Sequence, residues 1–409
     1  MRPRASKPTV VSKVTVVLVA ALLLLVVAPT LSLRAAAAGS KPYRLTALRS
    51  LAPGVTYAAM RSTSKKHPEV VHLVVADPTA QAQPLVSLSN GQVAETDPAQ
   101  RLERTSAACA RLDCVAGVNG DFFCTSEHCP ADIDEPEGGI VSAGQMLRSP
   151  GSVGWEEQQL TFGADGCPES PAPLAWSGSL TSSSSTLALD GVNVDRHSGQ
   201  AVLYDSAYGP ATPPATAGAE LVLQLDDPSW LGDLSSLPVS ATPVALLAKQ
   251  GGYPIQPGTG LVVISASGGK AKALQSMWTS QPVGQPMQLQ LNTAVPVTNS
   301  IGGKPLLVQN GHYTGQWGNT SQVARTLFAW RPDCTRMLIT VDGPSSVSRG
   351  MTMQQEAALA IALGATTAFG LDGGLSTTLV GPQGALLNKP SYRGPGDRPT
   401  GSSLLFVTP

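Results

Sequence analysis

Charged, aromatic and histidine residues are scarce in this chain of 409 residues. Charged residues make up 13% and aromatic residues 5%, and the five histidines are scattered along the sequence. The sequence contains neither a G-x-S-x-G elbow nor an H-E-x-x-H pair. It therefore does not favour a serine hydrolase of the elbow type or a zinc peptidase.

Once its first residues are set aside, the chain also has no excess of positive charge that could bind a polyanion. A basic start, an apolar run over 14–28 and three alanines at 36–38 are typical of a secretory signal peptide. Removing residues 1–38 takes away five of the 27 basic residues and leaves 22 against 28 acidic ones. We therefore predict a secreted, mildly acidic protein with no nucleic-acid partner. A retained N-terminal anchor is the alternative, and no later segment is apolar enough to span a membrane.

Cysteine is sparse as well, with six residues. In an exported chain, six cysteines are most simply three disulfides, although they allow about fifteen connectivities. The short-range candidates are Cys109 with Cys114 and Cys124 with Cys129, which leaves Cys167 for Cys334. Zinc bound by the cysteines of 109–129 and His128 is the weaker alternative, because the gaps and the exported setting do not favour it. We predict neither a metal nor a cofactor.

Glycine and proline, in contrast, are abundant, with 41 Gly and 34 Pro. Such a composition indicates many short strands separated by turns. We predict an α+β fold, with a mixed, β-rich core and a few covering helices. The predicted organisation is a lead-in at 39–69 and one domain at 70–409, with a β-rich middle region at about 165–285.

The most informative stretch runs from Arg336 to Val380. Residues 336–341 are apolar and stop at an Asp-Gly turn, as a buried strand does. A capping box beginning at Thr352 predicts the start of a helix. A second strand is predicted over 366–371, and it stops at another Asp-Gly turn.

The two turns contribute Asp342 and Asp372. A crossover through one helix usually returns the second strand parallel to the first, so in a shared sheet both aspartates lie at one edge. Open α/β sheets bind ligands at that edge, although Asp-Gly is also a common turn dipeptide. Arg325, with Thr326 at the head of another apolar run, indicates either a bound anion or an ion pair with one of the aspartates.

The order of these motifs resembles the phosphodiester glycosidase family. The resemblance is carried by VDG at 341–343, LDGGLSTTL at 371–379 and DRP at 397–399, and upstream by GVNGDFF at 117–123, IGGKPLLVQNG at 301–311 and ARTLFAW at 324–330. The middle region is poorly matched, and Leu375 stands where the family commonly has glycine.

The resemblance implies roles for residues of these blocks. Asp372 is the predicted catalytic carboxylate, Asp342 its partner and Arg325 a phosphate ligand. The residues expected to contact substrate are Asn119, Asp121, Thr326, Gly373, Gly374, Ser376, Thr377 and Arg398. On spacing alone, Asn119 and Asp121 are equally typical of turns. Lys304 could contact phosphate, but a role as an ordinary surface residue is favoured.

The family's reaction is hydrolysis of a sugar-1-phosphate diester to a free sugar and a phosphate monoester. A departing phosphate needs charge stabilisation more than a general acid, which suits arginines beside paired carboxylates. We therefore expect a secreted hydrolase whose substrates are phosphate-containing glycans of the envelope or the extracellular space. A carbohydrate-binding or envelope protein that keeps the fold without catalysis is the alternative.

Overall fold

The computed structural model describes residues 43–94, 101–125, 134–150, 158–214, 217–234, 237–248, 251–318 and 320–409. The predicted signal peptide at 1–38 lies outside these ranges. Strands make up 42% and helices 12%, so the predicted α+β fold with a β-rich core is confirmed. No helix in the described part of the chain is both long and apolar enough to cross a membrane.

The strands follow one another in short segments, as the glycine and proline content predicts. The first nine are β1 Tyr43–Ala52, β2 Val55–Ser62, β3 Val70–Ala76, β4 Gln83–Leu88, β5 Glu103–Arg104, β6 Ala116–Asn119, β7 Ile140–Ser142, β8 Gln145–Arg148 and β9 Gln158–Phe162. The next eight are β10 Trp176–Thr181, β11 Thr186–Leu189, β12 Gly191–Val192, β13 Ala201–Tyr204, β14 Ala219–Leu225, β15 Val239–Ala248, β16 Leu261–Ala266 and β17 Met287–Thr293. The last nine are β18 Asn299–Gly303, β19 Leu306–Gln309, β20 His312–Tyr313, β21 Arg325–Trp330, β22 Arg336–Val341, β23 Thr367–Gly370, β24 Leu379–Val380, β25 Pro399–Thr400 and β26 Ser402–Val407.

Three α-helices complete the described elements: α1 Thr105–Arg111, α2 Gly268–Ser280 and α3 Met353–Ala362. Thr352 caps α3 and forms the predicted capping box with Gln355. The helix α1 begins only at Thr105, because residues 103–104 pair with β25 as a strand. We did not predict α2, which covers the second large sheet with Leu274 and Met277 in its core.

The first large sheet has the order β1-β2-β3-β22-β21-β23-β19-β20. In it, β21 lies between β22 and β23 and is antiparallel to both. The strands β22 and β23 are therefore parallel to each other but not adjacent. Their carboxyl ends meet the amino end of β21 at one edge of the sheet.

The two faces of this sheet bury different partners. One face packs against α3 through residues such as Leu327, Ile339 and Ala357. The other face, with Phe328 and Phe369, packs into a core shared with β6 and β26. The strands β24, β6, β26 and β4 form a small sheet of their own, and β6 ends at Asn119 beside the edge just described.

The middle of the chain forms the second eight-stranded sheet, of order β11-β10-β17-β15-β14-β16-β13-β12. The strands β15, β14 and β16 lie next to one another near the centre of this sheet. The division of the chain into a lead-in, a domain and a middle region stays a prediction.

Two of the predicted disulfides are present, Cys109 with Cys114 and Cys167 with Cys334. The longer link ties the loop after β9 to the turn before β22. Cys129, the predicted partner of Cys124, lies outside the described residues, as does His128 of the zinc alternative.

Candidate functional site

Three backbone hydrogen bonds to two neighbouring segments fix the position of the turn that carries Asp372. The Leu371 amide donates to the Thr326 carbonyl at 3.0 Å, and the Asp372 amide donates to the Gly120 carbonyl at 3.1 Å. The Gly374 amide donates to the Ala324 carbonyl at 2.9 Å. Gly374 has a φ of +60°, in the left-handed region that favours glycine. The turn after β23 is therefore held against the ends of β21 and β6.

Asn119 at the end of β6 is the polar centre of this arrangement. Its Nδ2 donates to the Asp372 carbonyl at 2.7 Å, and its Oδ1 accepts from Thr326 Oγ1 at 2.9 Å and from the Thr378 amide at 3.0 Å. Asn119 is fully buried. The sequence predicts that Asn119 and Thr326 contact substrate, but their amide and hydroxyl are used in supporting the Asp372 turn.

Ser376 links Asp372 to Arg398. Its hydroxyl accepts from Arg398 Nη1 at 3.1 Å and lies beside the Asp372 carboxylate. Burial raises the pKa of Asp372 to about 6, while the Ser376 hydroxyl and the Arg398 charge oppose the shift. Asp372 is thus largely ionised at neutral pH and accepts a proton more readily than an ordinary carboxylate.

Arg398 is held by its neighbours on both sides. Its guanidinium carbon lies 4.8 Å from the centre of the Phe123 ring, a cation–π contact. The preceding Asp397 is buried and accepts from the Ser106 amide at 3.0 Å and from the Ser106 hydroxyl at 2.6 Å. The DRP motif is thereby anchored to the start of α1.

Asp121 is a second buried carboxylate near the Asp372 turn. Its two oxygens accept from the Phe122 and Gly138 amides, each at 2.7 Å. A Cβ at Gly302 would clash with Asp121 Oδ2, so glycine is required there. Burial raises the pKa of Asp121 to about 7, against the effect of these two hydrogen bonds.

Glu137 belongs to the same cluster, and the sequence analysis missed it. It forms an ion pair with Lys304, and its amide donates to the Phe122 carbonyl at 2.9 Å. Its negative charge raises the pKa of both Asp121 and Asp372. Two glycines follow Glu137 and precede the β7–β8 hairpin. In the sequence, this glycine pair indicates a place where another backbone segment can approach closely.

Lys304 lies among aromatic rings at this cluster. Its Nζ is 4.9 Å from the centre of the Phe122 ring and 5.5 Å from that of Trp317. Trp317 itself is 49% exposed. Aromatic and cationic groups are thus presented together at the surface beside Asp372.

Asp342 lies at the predicted edge but in a neighbouring cluster. Its Oδ1 accepts from the Lys389 amide at 3.1 Å and is 3.4 Å from His72 Nε2. His72 Nδ1 in turn lies 2.8 Å from the Tyr57 hydroxyl. Because β21 separates β22 from β23, two strand spacings of roughly 4.8 Å separate the backbones of Asp342 and Asp372.

Arg325 points to the face of the sheet that α3 covers. Its Nε donates to the Met351 carbonyl and its Nη2 to the Ser321 carbonyl, both at 3.0 Å, and Nε is 3.9 Å from Glu356 Oε2. Burial raises the pKa of Glu356 to about 8, and the charge of Arg325 opposes this shift. Arg325 therefore pairs with Glu356 rather than with Asp342 or Asp372, the two partners that the sequence suggested for an ion pair.

The other predicted residues line the same turn. Ser376 and Thr377 are buried, and Thr377 Oγ1 has no hydrogen-bond partner among the described residues. Gly373 and Gly374 are partly exposed, and Leu375 is 49% exposed beside them. Within the described ranges, no group of three or more His, Cys, Asp or Glu side chains is placed to hold a metal ion.

The cluster of Asp372, Ser376, Arg398, Glu137 and Lys304 combines three functions. Asp372 is a carboxylate with a pKa near neutrality. Arg398 supplies positive charge for an anion, Lys304 is paired with Glu137, and the nearby rings supply apolar faces for a sugar. Such a site is suited to an anionic glycoside.

Comparison with known families agrees with this chemistry. A profile of the phosphodiester glycosidase family matches residues 242–407. The resemblance predicted from the sequence is therefore confirmed over this part of the chain, which includes the Asp372 turn and Arg398. The block around Asn119 lies outside the matched residues. A search of curated proteins finds no match.

Two solved structures share the fold at low sequence identity, and a third is similar at a lower TM-score. A protein of Burkholderia pseudomallei, provisionally described as exported, has a TM-score of 0.65 at 19% identity, with 90% of this chain and 98% of that chain covered. A hypothetical protein from Synechocystis has a TM-score of 0.60 at 18% identity, with 90% and 64% covered. The catalytic domain of zebrafish N-acetylglucosamine-1-phosphodiester alpha-N-acetylglucosaminidase has a TM-score of 0.45 at 15% identity, with 90% and 88% covered.

Proposed function

Since residues 242–407 match the phosphodiester glycosidase family, we propose that this protein is a secreted hydrolase that cleaves sugar-1-phosphate diesters at the anomeric carbon. The observation that carries the proposal is the buried Ser376, which accepts a hydrogen bond from Arg398 and lies beside the Asp372 carboxylate, whose pKa both residues lower. It joins a carboxylate that can take a proton near neutral pH to a guanidinium that can bind phosphate oxygens.

In the proposed reaction, Arg398 binds the phosphate group through its guanidinium. Asp372 accepts a proton from a water molecule as that water attacks the anomeric carbon. A new bond forms between the water oxygen and this carbon, and the bond from the carbon to the phosphate oxygen breaks. The phosphate leaves with the bonding electron pair, and Arg398 stabilises the developing charge. The proton on Asp372 then passes to solvent.

The remaining predicted residues support this centre in the proposal. Asn119 and Thr326 fix the Asp372 turn through its carbonyl. Gly373 and Gly374 let the substrate approach the backbone, and Thr377 offers a hydroxyl. We assign Asp121 to the wall of the site, because both of its oxygens accept backbone amides.

We propose supporting roles for the other two residues predicted to be catalytic. Asp342 holds the loop at Lys389 and faces His72. Arg325 ties β21 to α3 through Met351 and Glu356. Neither contact set includes Asp372, Ser376 or Arg398.

Secretion and the substrate class are part of the same proposal. The N-terminal sequence pattern and the disulfides Cys109–Cys114 and Cys167–Cys334 support an oxidising, extracytoplasmic setting. Glycans of the envelope or the extracellular space that carry sugar phosphates are the substrates available there.

The proposal is tested by turnover of a panel of sugar-1-phosphate diesters by the purified mature chain. Arg398→Met should lower kcat/KM about tenfold to a hundredfold, as expected for the loss of a charged hydrogen-bonding group. Arg393→Met removes an exposed arginine of the same loop and should leave kcat/KM unchanged. Binding without turnover on any diester would favour the non-catalytic carbohydrate-binding alternative.

A further inference from the structure

The ion pair of Glu137 and Lys304 stands beside the proposed phosphate site and is accessible to a ligand. The Glu137 side chain is 42% exposed and that of Lys304 is 24% exposed. Lys304 also faces the Phe122 and Trp317 rings, which limit where its ammonium group can move. Arg398 is the cation that lowers the pKa of Asp372, and Glu137 is a carboxylate that raises it.

Glu137 neutralises the ammonium charge of Lys304, which would otherwise attract phosphate. With Lys304 paired, Arg398 is left as the cation available to the substrate, while Asp372 and Glu137 contribute negative charge nearby. A phosphate diester carries one negative charge, whereas a monoester approaches two at neutral pH, because its second pKa is about 6. Repulsion from the carboxylates grows with the charge of the ligand.

We propose that Glu137 is a specificity-determining residue, an inference that rests on the proposed function. Glu137 compensates the charge of Lys304 and thereby makes the site prefer phosphate diesters to phosphate monoesters. The hydrolysis of a diester produces a monoester, so the same compensation favours release of the phosphate product. Glu137 thereby acts through Lys304 rather than on the bond that is cleaved.

Binding measurements test this without requiring turnover. The probes are glucose 1-phosphate and its methyl diester, titrated by NMR or calorimetry at pH 8. We expect Glu137→Gln to tighten binding of the monoester about threefold to tenfold relative to the diester, the range of a partly exposed ion pair. Asp226→Asn removes an exposed carboxylate from the second eight-stranded sheet and should leave this ratio unchanged.

A double-mutant cycle identifies the role of Lys304. In the Lys304→Met background, Glu137→Gln should change the ratio less, because only the repulsion by the carboxylate is lost and no ammonium group is released. An unchanged ratio in Glu137→Gln alone would overturn the proposal, and so would an equal shift in both backgrounds. So would the failure of every form of the protein to bind either probe.

The outcome is separable from that of the proposed function. If the diester is bound but never hydrolysed, and Glu137→Gln still shifts the ratio, the selectivity stands and the hydrolase proposal fails. Where turnover is observed, stronger product inhibition by the monoester in Glu137→Gln gives a second, kinetic readout.

Discussion

Arg398 Nη1 donates a hydrogen bond of 3.1 Å to the hydroxyl oxygen of Ser376. The same hydroxyl lies beside the Asp372 carboxylate and lowers its pKa. A guanidinium for phosphate and a carboxylate for proton transfer therefore lie on either side of one buried serine. Asp372 and Ser376 belong to one short turn, residues 372–376.

Replacing Ser376 should change the pH dependence of the reaction. Ser376→Ala removes the hydroxyl that lowers the pKa of Asp372, so this pKa should rise above about 6 by roughly half a unit to one unit. The acidic limb of the kcat profile then moves to higher pH. Thr377→Val alters the adjacent buried hydroxyl, which does not bond Asp372, and should leave the limb in place. An unshifted limb in Ser376→Ala would show that Asp372 does not control the rate.

Replacing Asn119 should reduce both stability and activity. Asn119→Ala leaves Thr326 Oγ1, the Thr378 amide and the Asp372 carbonyl without this partner, at a cost of about 2–3 kcal/mol in the free energy of unfolding. Asn299→Ala is the matched control, because Asn299 is also buried and ties the Val86 and Ala143 amides to the Pro84 carbonyl. Urea unfolding should show a loss in both variants. Only Asn119→Ala should lower kcat measured on the folded protein.

Substitution of Arg325 distinguishes a structural role of this residue from a catalytic one. Arg325→Met should destabilise the protein by about 2–3 kcal/mol, because it leaves the Met351 and Ser321 carbonyls without their guanidinium donor. Arg325→Met with Glu356→Met should recover part of that loss, since no buried carboxyl is left behind. If the double variant is stable but inactive, Arg325 belongs to the catalytic machinery.

The stability of the protein should fall as pH rises from about 4 to 6. Burial raises the pKa of Asp205 to about 6, against about 3.9 in an unfolded chain. The folded state therefore binds the proton more tightly, and this contribution of about 3 kcal/mol is present at low pH and lost as pH rises through 6. Asp205→Asn should flatten the dependence by a similar amount in urea unfolding across this range. The slope should not vanish, because Asp121 and Asp372 have raised pKa values as well.

Local sequence signals predicted the elements around the site well. The capping box at Thr352 and the two Asp-Gly turns depend only on neighbouring residues, so they are legible without knowledge of the fold. The relation between Asp342 and Asp372 was less accessible, because β23 pairs with β21 rather than with β22, and no local pattern in the sequence shows this strand order.

The orientation of Arg325 could have been inferred from strand alternation. In β21, Arg325 shares a face with Leu327, and Thr326 shares the other face with Phe328. Glu137 could not be assigned in this way. Its ion pair with Lys304 spans 167 residues of sequence, and no periodic pattern links the two segments.

The most direct test of the account is hydrolysis of a sugar-1-phosphate diester in oxygen-18 water by the mature protein, beside Asp372→Asn. Attack at the anomeric carbon predicts that the label appears in the free sugar, and loss of the base predicts a rate about a hundredfold to ten-thousandfold lower in the variant. Label in the phosphate product would contradict the account, because water would then have attacked phosphorus. A folded Asp372→Asn that keeps most of its activity would contradict it equally.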